Sequence, residues 1–196
     1  NYEATEIGRV LVRLYLKPTS AKTILDTLRS WMEEKTWSYD KMIMILYAVA
    51  SSPESWVIIR KLLSKLDNLI EYIVEHQEIL KILQENIWGD KYTMDYIDRE
   101  YLTADEEETL AVMGGVCILV DWINGKSIQH ILDRFLPNFG PGDLAEFVRI
   151  SDWLMYCSAE LASSLDLPIR IVDELKLLSR MIRKYPWSIR VLWRKK

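Results

Sequence analysis

Residues 140–165 read GPGDLAEFVRISDWLMYCSAELASSL. At 100° per residue, this segment places two rows of different chemistry on one helix. Phe147, Ile150, Leu154, Cys157, Leu161 and Leu165 make an apolar stripe. Glu146, Arg149, Trp153, Tyr156 and Glu160 make a second stripe, roughly 115° further round. An indole one turn from a guanidinium suits single-stranded nucleic acid. The ring stacks on a base, worth ~1–3 kcal/mol, and the cation takes a phosphate or another base. Packing of Trp153 against a second neighbouring helix is the competing use, and on periodicity alone it is the commoner one.

Charge points to the same end of the chain. The formal net charge is −4, yet from Asp166 onward nine basic residues face three acidic ones, so this part carries +6 and residues 1–165 carry −10. A basic C-terminal segment on an acidic body suits an anionic partner, and Arg190, Arg194 and Lys195 are its candidate phosphate contacts. Solvated surface charge explains the same asymmetry without a partner.

Other chemistries find little support. There is no GxxxxGK[ST] loop and no GxGxxG, hence no nucleotide site and no cofactor expected in this chain. His76 and His130 are 54 residues apart and lack a His, Cys or carboxylate four residues away, so no metal site is expected. No catalytic triad can be ordered from two histidines. Cys117 and Cys157 sit in apolar helical patterns and read as buried small hydrophobes in a reducing compartment. No apolar run reaches 18 residues and no signal segment opens the chain, so the expected location is the cytoplasm. The first residue is Asn1 rather than Met, consistent with a piece of a longer protein.

The elements that must position these residues are helical nearly throughout, because only seven glycines and six prolines punctuate the sequence and period-two alternation is scarce. Thr5 is expected to cap a helix running to about Leu16. Thr19 or Ser20 should cap the next, burying Ile24, Leu25, Leu28, Trp31 and Met32. Asp40 or Ser38 should open KMIMILYAVA, apolar nearly all round and therefore central, and Pro53 should start a further helix. The stretch from Trp56 to Ile87 reads as one long or two consecutive helices, and the acidic, aromatic segment after it is assigned no element. Thr103 and Glu106 form a capping box, Gly114-Gly115 admits a close neighbour, and Asn124-Gly125 ends that helix. A short helix reaches about Phe135, the two-striped helix follows, and a last one runs from about Pro168 to Tyr185. The expected fold is an all-α multi-helix bundle over residues 1–165, with a basic helix and tail over 166–196.

GPGDL followed by a helix bearing Trp153, with ILVDWINGKSIQHILDRF upstream, resembles the C-terminal half of archaeal superfamily-two DNA helicases of the Hjm type. TEIGRVLVRLYLKPTSA is similar to the segment after the winged-helix domain of that family, and MILYAVASSPES extends the likeness, which covers residues 1 to about 185 in order. The combination of GPGDL and DWIN motifs is specific, and either alone is weak.

The resemblance implies a parent enzyme that unwinds DNA with 3′-to-5′ polarity in repair and recombination, using ATP and Mg in motor domains outside this chain. The chain would be its non-catalytic helical domain, with single-stranded or branched DNA and the motor and winged-helix domains as partners. The two-striped helix would be the ratchet helix across which the single strand is drawn, and Trp153 matches the family tryptophan that stacks on a base. Two departures stand out. Where the family often has an arginine seven residues before that tryptophan, this chain has Glu146; Arg149 on the same stripe is a substitute suggested by geometry, not by the family. Where the family usually continues into a helix-hairpin-helix domain, this chain ends YPWSIRVLWRKK, as if that module were truncated or lost. A protein-interaction scaffold, as similar bundles form in spliceosomal RNA helicases, is the alternative function.

Overall fold

The computed structural model describes residues 5–88 and 102–183, and among these every regular element is helical. In chain order they are α1 (Glu6–Arg13), α2 (Pro18–Arg29), α3 (Tyr39–Ala50), α4 (Pro53–Ile59), a 3₁₀ segment (Arg60–Lys65), α5 (Leu66–Val74) and α6 (Gln77–Leu83) with a π-helical last turn (Gln84–Trp88). After the break come α7 (Ala104–Ile123), α8 (Ile128–Leu132), α9 (Pro141–Ser164) and α10 (Ile169–Arg183). The expected all-α bundle is the observed one. The acidic, aromatic segment lies, from residue 89 to 101, outside the described residues.

The bundle is organised around α7 and α9. From Leu110 to Ile123, α7 is buried on every side, which is why its apolar centre shows no helical face. The Thr103–Glu106 capping box opens it as expected: the Thr103 amide donates to Glu106 Oε2 at 2.7 Å, and the Glu106 amide to Thr103 Oγ1 at 3.3 Å. Gly125 at φ 77° lets the chain leave. The glycine pair is a contact surface. A Cβ at Gly114 would stand 2.5 Å from Leu69 Cδ1, and one at Gly115 3.2 Å from Phe147 Cζ, so α5 and α9 both approach the α7 backbone there.

Local signals placed most other ends. Thr5 Oγ1 accepts from the Gly8 amide, Ser38 caps α3, and Pro53 occupies the first turn of α4 behind the Ser52 cap. Two expectations are corrected in α2. It starts at Pro18, with Lys17 at the cap position and no side-chain cap, because proline already fits the first turn and needs no N–H partner. Ser20 is instead buried and donates to the Glu54 carboxylate at 2.7 Å, joining α2 to α4. Met32 is 53% exposed rather than part of the core, since α2 has ended at Arg29 and the helical face no longer applies.

The stretch from Trp56 to Ile87 also differs from expectation: it is neither one helix nor two. Over 32 residues a straight helix would run about 48 Å, far past the body it must cover. The chain breaks instead at Lys65 (φ −126°, ψ 54°) and at His76 (φ −102°, ψ 55°), so that Ile59, Leu62, Leu69, Tyr72, Ile73 and Leu83 all reach the same core.

α10 folds back along α9 through the turn at Asp166 (φ 55°). Its Ile171, Leu175, Leu178 and Ile182 are buried in the common core, and Trp122 Nε1–H of α7 donates to the Ile182 carbonyl at 3.0 Å.

Candidate nucleic-acid interface

α9 begins where GPGDL says it should. Pro141 takes the first turn, and the Gly140 amide donates to Asp143 Oδ2 at 2.9 Å. Asp143 also accepts from Lys61 Nζ at 2.6 Å. Partial burial raises its pKa, but the Gly140 amide and the Lys61 ammonium outweigh that and hold the carboxyl below its usual range. This anchor ties the 3₁₀ segment to the start of α9, and the helices packed round α9 set its rotation about its axis.

That rotation sorts the two stripes. Phe147, Ile150, Leu154, Cys157 and Leu161 are buried, while Leu165, at the end of the apolar row, is only half-buried. Val148, Ser151, Met155, Ser158, Ala159 and Ala162 are buried too, because α9 is embraced by α1, α2, α3, α4 and α10 rather than by a single neighbour. What remains outside is the second stripe. Arg149 and Tyr156 are exposed, Tyr156 by 42%, and Trp153 lies half-buried between them against the core.

Both acids of the stripe are matched by arginines. Glu146 accepts two hydrogen bonds from Arg149, from Nη2 at 2.6 Å and Nε at 2.9 Å. The hydrogen bond from Arg149 lowers the Glu146 pKa, and the same contact raises that of Arg149. Glu160 accepts from Arg13 Nη2 of α1 at 3.0 Å. Two carboxylates that would repel a phosphate are thus neutralised at either end of the aromatic pair.

Beside the stripe, Asp152 joins α9 to α10. It accepts from Ser179 Oγ at 2.7 Å and from Arg183 Nε at 2.9 Å, and its carboxylate raises the Arg183 pKa. Between the two helices runs an open groove of about 730 Å³, lined by Tyr156 and by α10, which contributes the cations Arg170, Lys176, Arg180 and Arg183 and the acids Asp173 and Glu174. The α10 cations stood in the basic C-terminal count but were not singled out. Only the fold brings them to Tyr156. Arg190, Arg194 and Lys195 lie outside the described residues.

The histidines, read as partnerless, meet a shared acid. His76 Nε2 is 3.0 Å from Asp121 Oδ1 and Nδ1 is 2.8 Å from the Tyr72 carbonyl, while Tyr72 OH donates to Asp121 Oδ2 at 2.8 Å. His130 Nε2 stands 3.8 Å from the same carboxylate. Burial works against a charged His76, but the Asp121 hydrogen bond and the Cys117 side chain prevail and push its pKa up to about 10. Asp121 is lowered: burial would raise it, and His76 and Tyr72 reverse that. Cys117 beside this pair is fully buried and its pKa is raised by burial, as is that of Cys157, pushed up to about 12. Through Tyr72, His76 and Asp121 the cluster ties α5, the start of α6 and α7 together. Among the described residues no group of three His, Cys, Asp or Glu is arranged to hold a metal ion, and no single helix is long and apolar enough to cross a membrane.

Residues 43–184 match the family model described as archaeal helicase, domain 4. The chain belongs to that family. Around this archaeal helicase domain 4 the similar proteins agree. The ATP-dependent DNA helicase Hel308 of Methanocella arvoryzae is 25% identical over 169 residues, 85% of this chain and 20% of its own length. That of Pyrococcus horikoshii is 24% identical over 176 residues, covering 90% of this chain and 21% of its own. That of Thermoplasma volcanium reaches 30% over 129 residues, 64% of this chain and 17% of its own. The chain thus spans about a fifth of the length of these curated relatives. No solved structure matches it. The kinship suggested by GPGDL, DWIN and Trp153 holds for the helical domain of the archaeal superfamily-two helicases.

Proposed function

We propose that this chain is the single-strand-contacting helical domain of an ATP-dependent 3′-to-5′ DNA helicase acting in repair and recombination in the cytoplasm. It performs no hydrolysis itself; ATP and Mg are used by motor domains elsewhere in the parent protein, which together with a winged-helix domain are its covalent partners. α9 acts as the ratchet helix. Trp153 stacks on a base, Tyr156 extends the platform, and Arg149 meets the backbone.

The observation that carries this reading is the exposure of the second stripe. α9 buries apolar residues on all its other sides and still leaves Tyr156 42% exposed and Trp153 only partly buried, one turn from Arg149. Tyr156 is left uncovered, and Trp153 packs on the core by one side and presents the remainder of its ring on the same row. Fluorescence anisotropy of a labelled oligo-dT tests it: Trp153→Ala should lose ~1–3 kcal/mol of affinity, and an unchanged Kd overturns the stacking role.

The scaffold reading draws on one observation, the Glu146–Arg149 pair, which engages the stripe's own cation. An exposed pair of this kind is worth only about 0–1 kcal/mol, so a phosphate can displace the carboxylate at little cost. That favours the DNA-binding reading.

A further inference from the structure

α9 and α10 form an antiparallel hairpin, and the edge of α10 that adjoins the exposed stripe of α9 is cationic. At 100° per residue Ser179, Arg183, Lys176 and Arg180 lie within an arc of about 100°, with Ile169 inside it and Asp173 just beyond Arg180. The first two are fastened to Asp152 of α9, so this arc is the one turned to α9. Its outward continuation, Lys176 and Arg180, makes no ion pair among the described residues and lines the same groove as Tyr156. Along the axis Lys176, Arg180 and Arg183 rise by about 6 Å and then about 4.5 Å. An aromatic row (Trp153, Tyr156) and a cationic row (Lys176, Arg180, Arg183) therefore run side by side.

We infer that this cationic edge of α10 is a phosphate track: it holds the sugar–phosphate backbone of the single strand whose bases meet Trp153 and Tyr156. The inference rests on the proposed function and adds its second half. Charge complementarity selects the occupant. The first 165 residues carry −10, whereas α10 carries four cations against Asp173 and Glu174, so a polyanion is repelled by most of the body and drawn to the Lys176–Arg180–Arg183 side of α10. The pairing also fits the chemistry of a single strand, which offers a stacking face on one side and a charged backbone on the other.

Two probes separate the rows: oligo-dT, and an abasic oligomer of equal length that has the backbone and no bases. Each is titrated against the full chain by anisotropy across a salt series. Lys176→Ala/Arg180→Ala should weaken binding of both probes and reduce the log–log salt slope by about 0.7 for each lost contact. Both residues are exposed, and an unchanged thermal midpoint confirms the fold. Lys81→Ala/Lys126→Ala removes the same charge from exposed sites on other elements and should leave the slope alone. Trp153→Ala should weaken oligo-dT binding, keep its slope and spare the abasic probe.

An unchanged slope in Lys176→Ala/Arg180→Ala overturns the phosphate track while leaving the stacking reading to its own test. Loss of the track's effect in the abasic probe alone does the same. Equal binding of poly-glutamate would mark a general anion surface and also overturn the track. Failure of Trp153→Ala to weaken oligo-dT, with the α10 effect intact, sinks stacking and keeps the track. A wild-type chain that binds neither oligomer at low salt overturns both.

Discussion

Glu146 holds the guanidinium of Arg149 by two hydrogen bonds, 2.6 and 2.9 Å long, one helical turn before Trp153. The pair is exposed, and its lock is weak in water. It sets the starting state of the stripe: a cation in place, oriented, and already answered by a carboxylate. Removing that carboxylate should show what the arginine is for.

Glu146→Gln keeps the side-chain length and a carbonyl acceptor while removing the charge. Oligo-dT affinity should rise by about 0.3–1 kcal/mol, since a weak exposed pair no longer competes with phosphate. Glu146→Arg should raise it further and steepen the salt dependence. If both variants bind as the wild type does, Arg149 plays no part in binding.

Trp153→Ala separates contact from packing. A fully buried tryptophan truncated to alanine costs ~3–5 kcal/mol of stability. Trp153 is only partly buried, so its stability loss should fall below that range while its affinity loss reaches ~1–3 kcal/mol. Thermal melts and anisotropy on the same protein read both quantities. A large destabilisation with unaltered affinity would return Trp153 to the core.

The His76–Asp121 tie predicts a pH dependence with a definite sign. His76 is raised from 6.5 to about 10 in the folded chain, so the folded state binds the extra proton between those values. Its stabilisation is complete below pH 6.5 and declines as pH rises towards 10. Asp121 is lowered, so its share is present above the ordinary aspartate value and is lost on acidification. The melting temperature should therefore fall from pH 6.5 upward, already measurably by about pH 8, before thiols titrate. His76→Gln should flatten that decline. Parallel slopes in the two proteins would mean the pair is electrostatically neutral to folding.

Gly114 tests the helix contact behind the site. Val at this position places its Cβ 2.5 Å from Leu69 Cδ1 before its methyls are counted, and Leu62 Cδ1 is at 3.2 Å. Leu62 and Leu69 are wholly buried and have little room to retreat. Gly114→Val should cost ~1–3 kcal/mol, read as a lowered urea midpoint at constant m-value. A midpoint equal to the wild type would show that α5 can slide away from α7.

Much of this protein was determined within short windows of its sequence. Thr5, Ser38, Ser52, Thr103 with Glu106, and Pro141 with Asp143 each set a helix start through contacts three or four residues away, and such contacts form wherever the rest of the chain goes. The two stripes of α9 follow from helical angle alone, and the i, i+3 spacing of Glu146 and Arg149 is the spacing at which the two side chains meet. Tertiary structure decided the rest. Which stripe stayed outside depended on five helices closing round α9. Asp121 met His76 across 45 residues, and the breaks at Lys65 and His76 were imposed by the shape of the core rather than by any proline or glycine at those points. The cations of α10 reached Tyr156 only because the chain reverses at Asp166 and Leu175, Leu178 and Ile182 bury the opposite face. Local hydrogen bonds and periodicity act over one or two turns, whereas a face gains its neighbour from burying apolar area across the whole bundle.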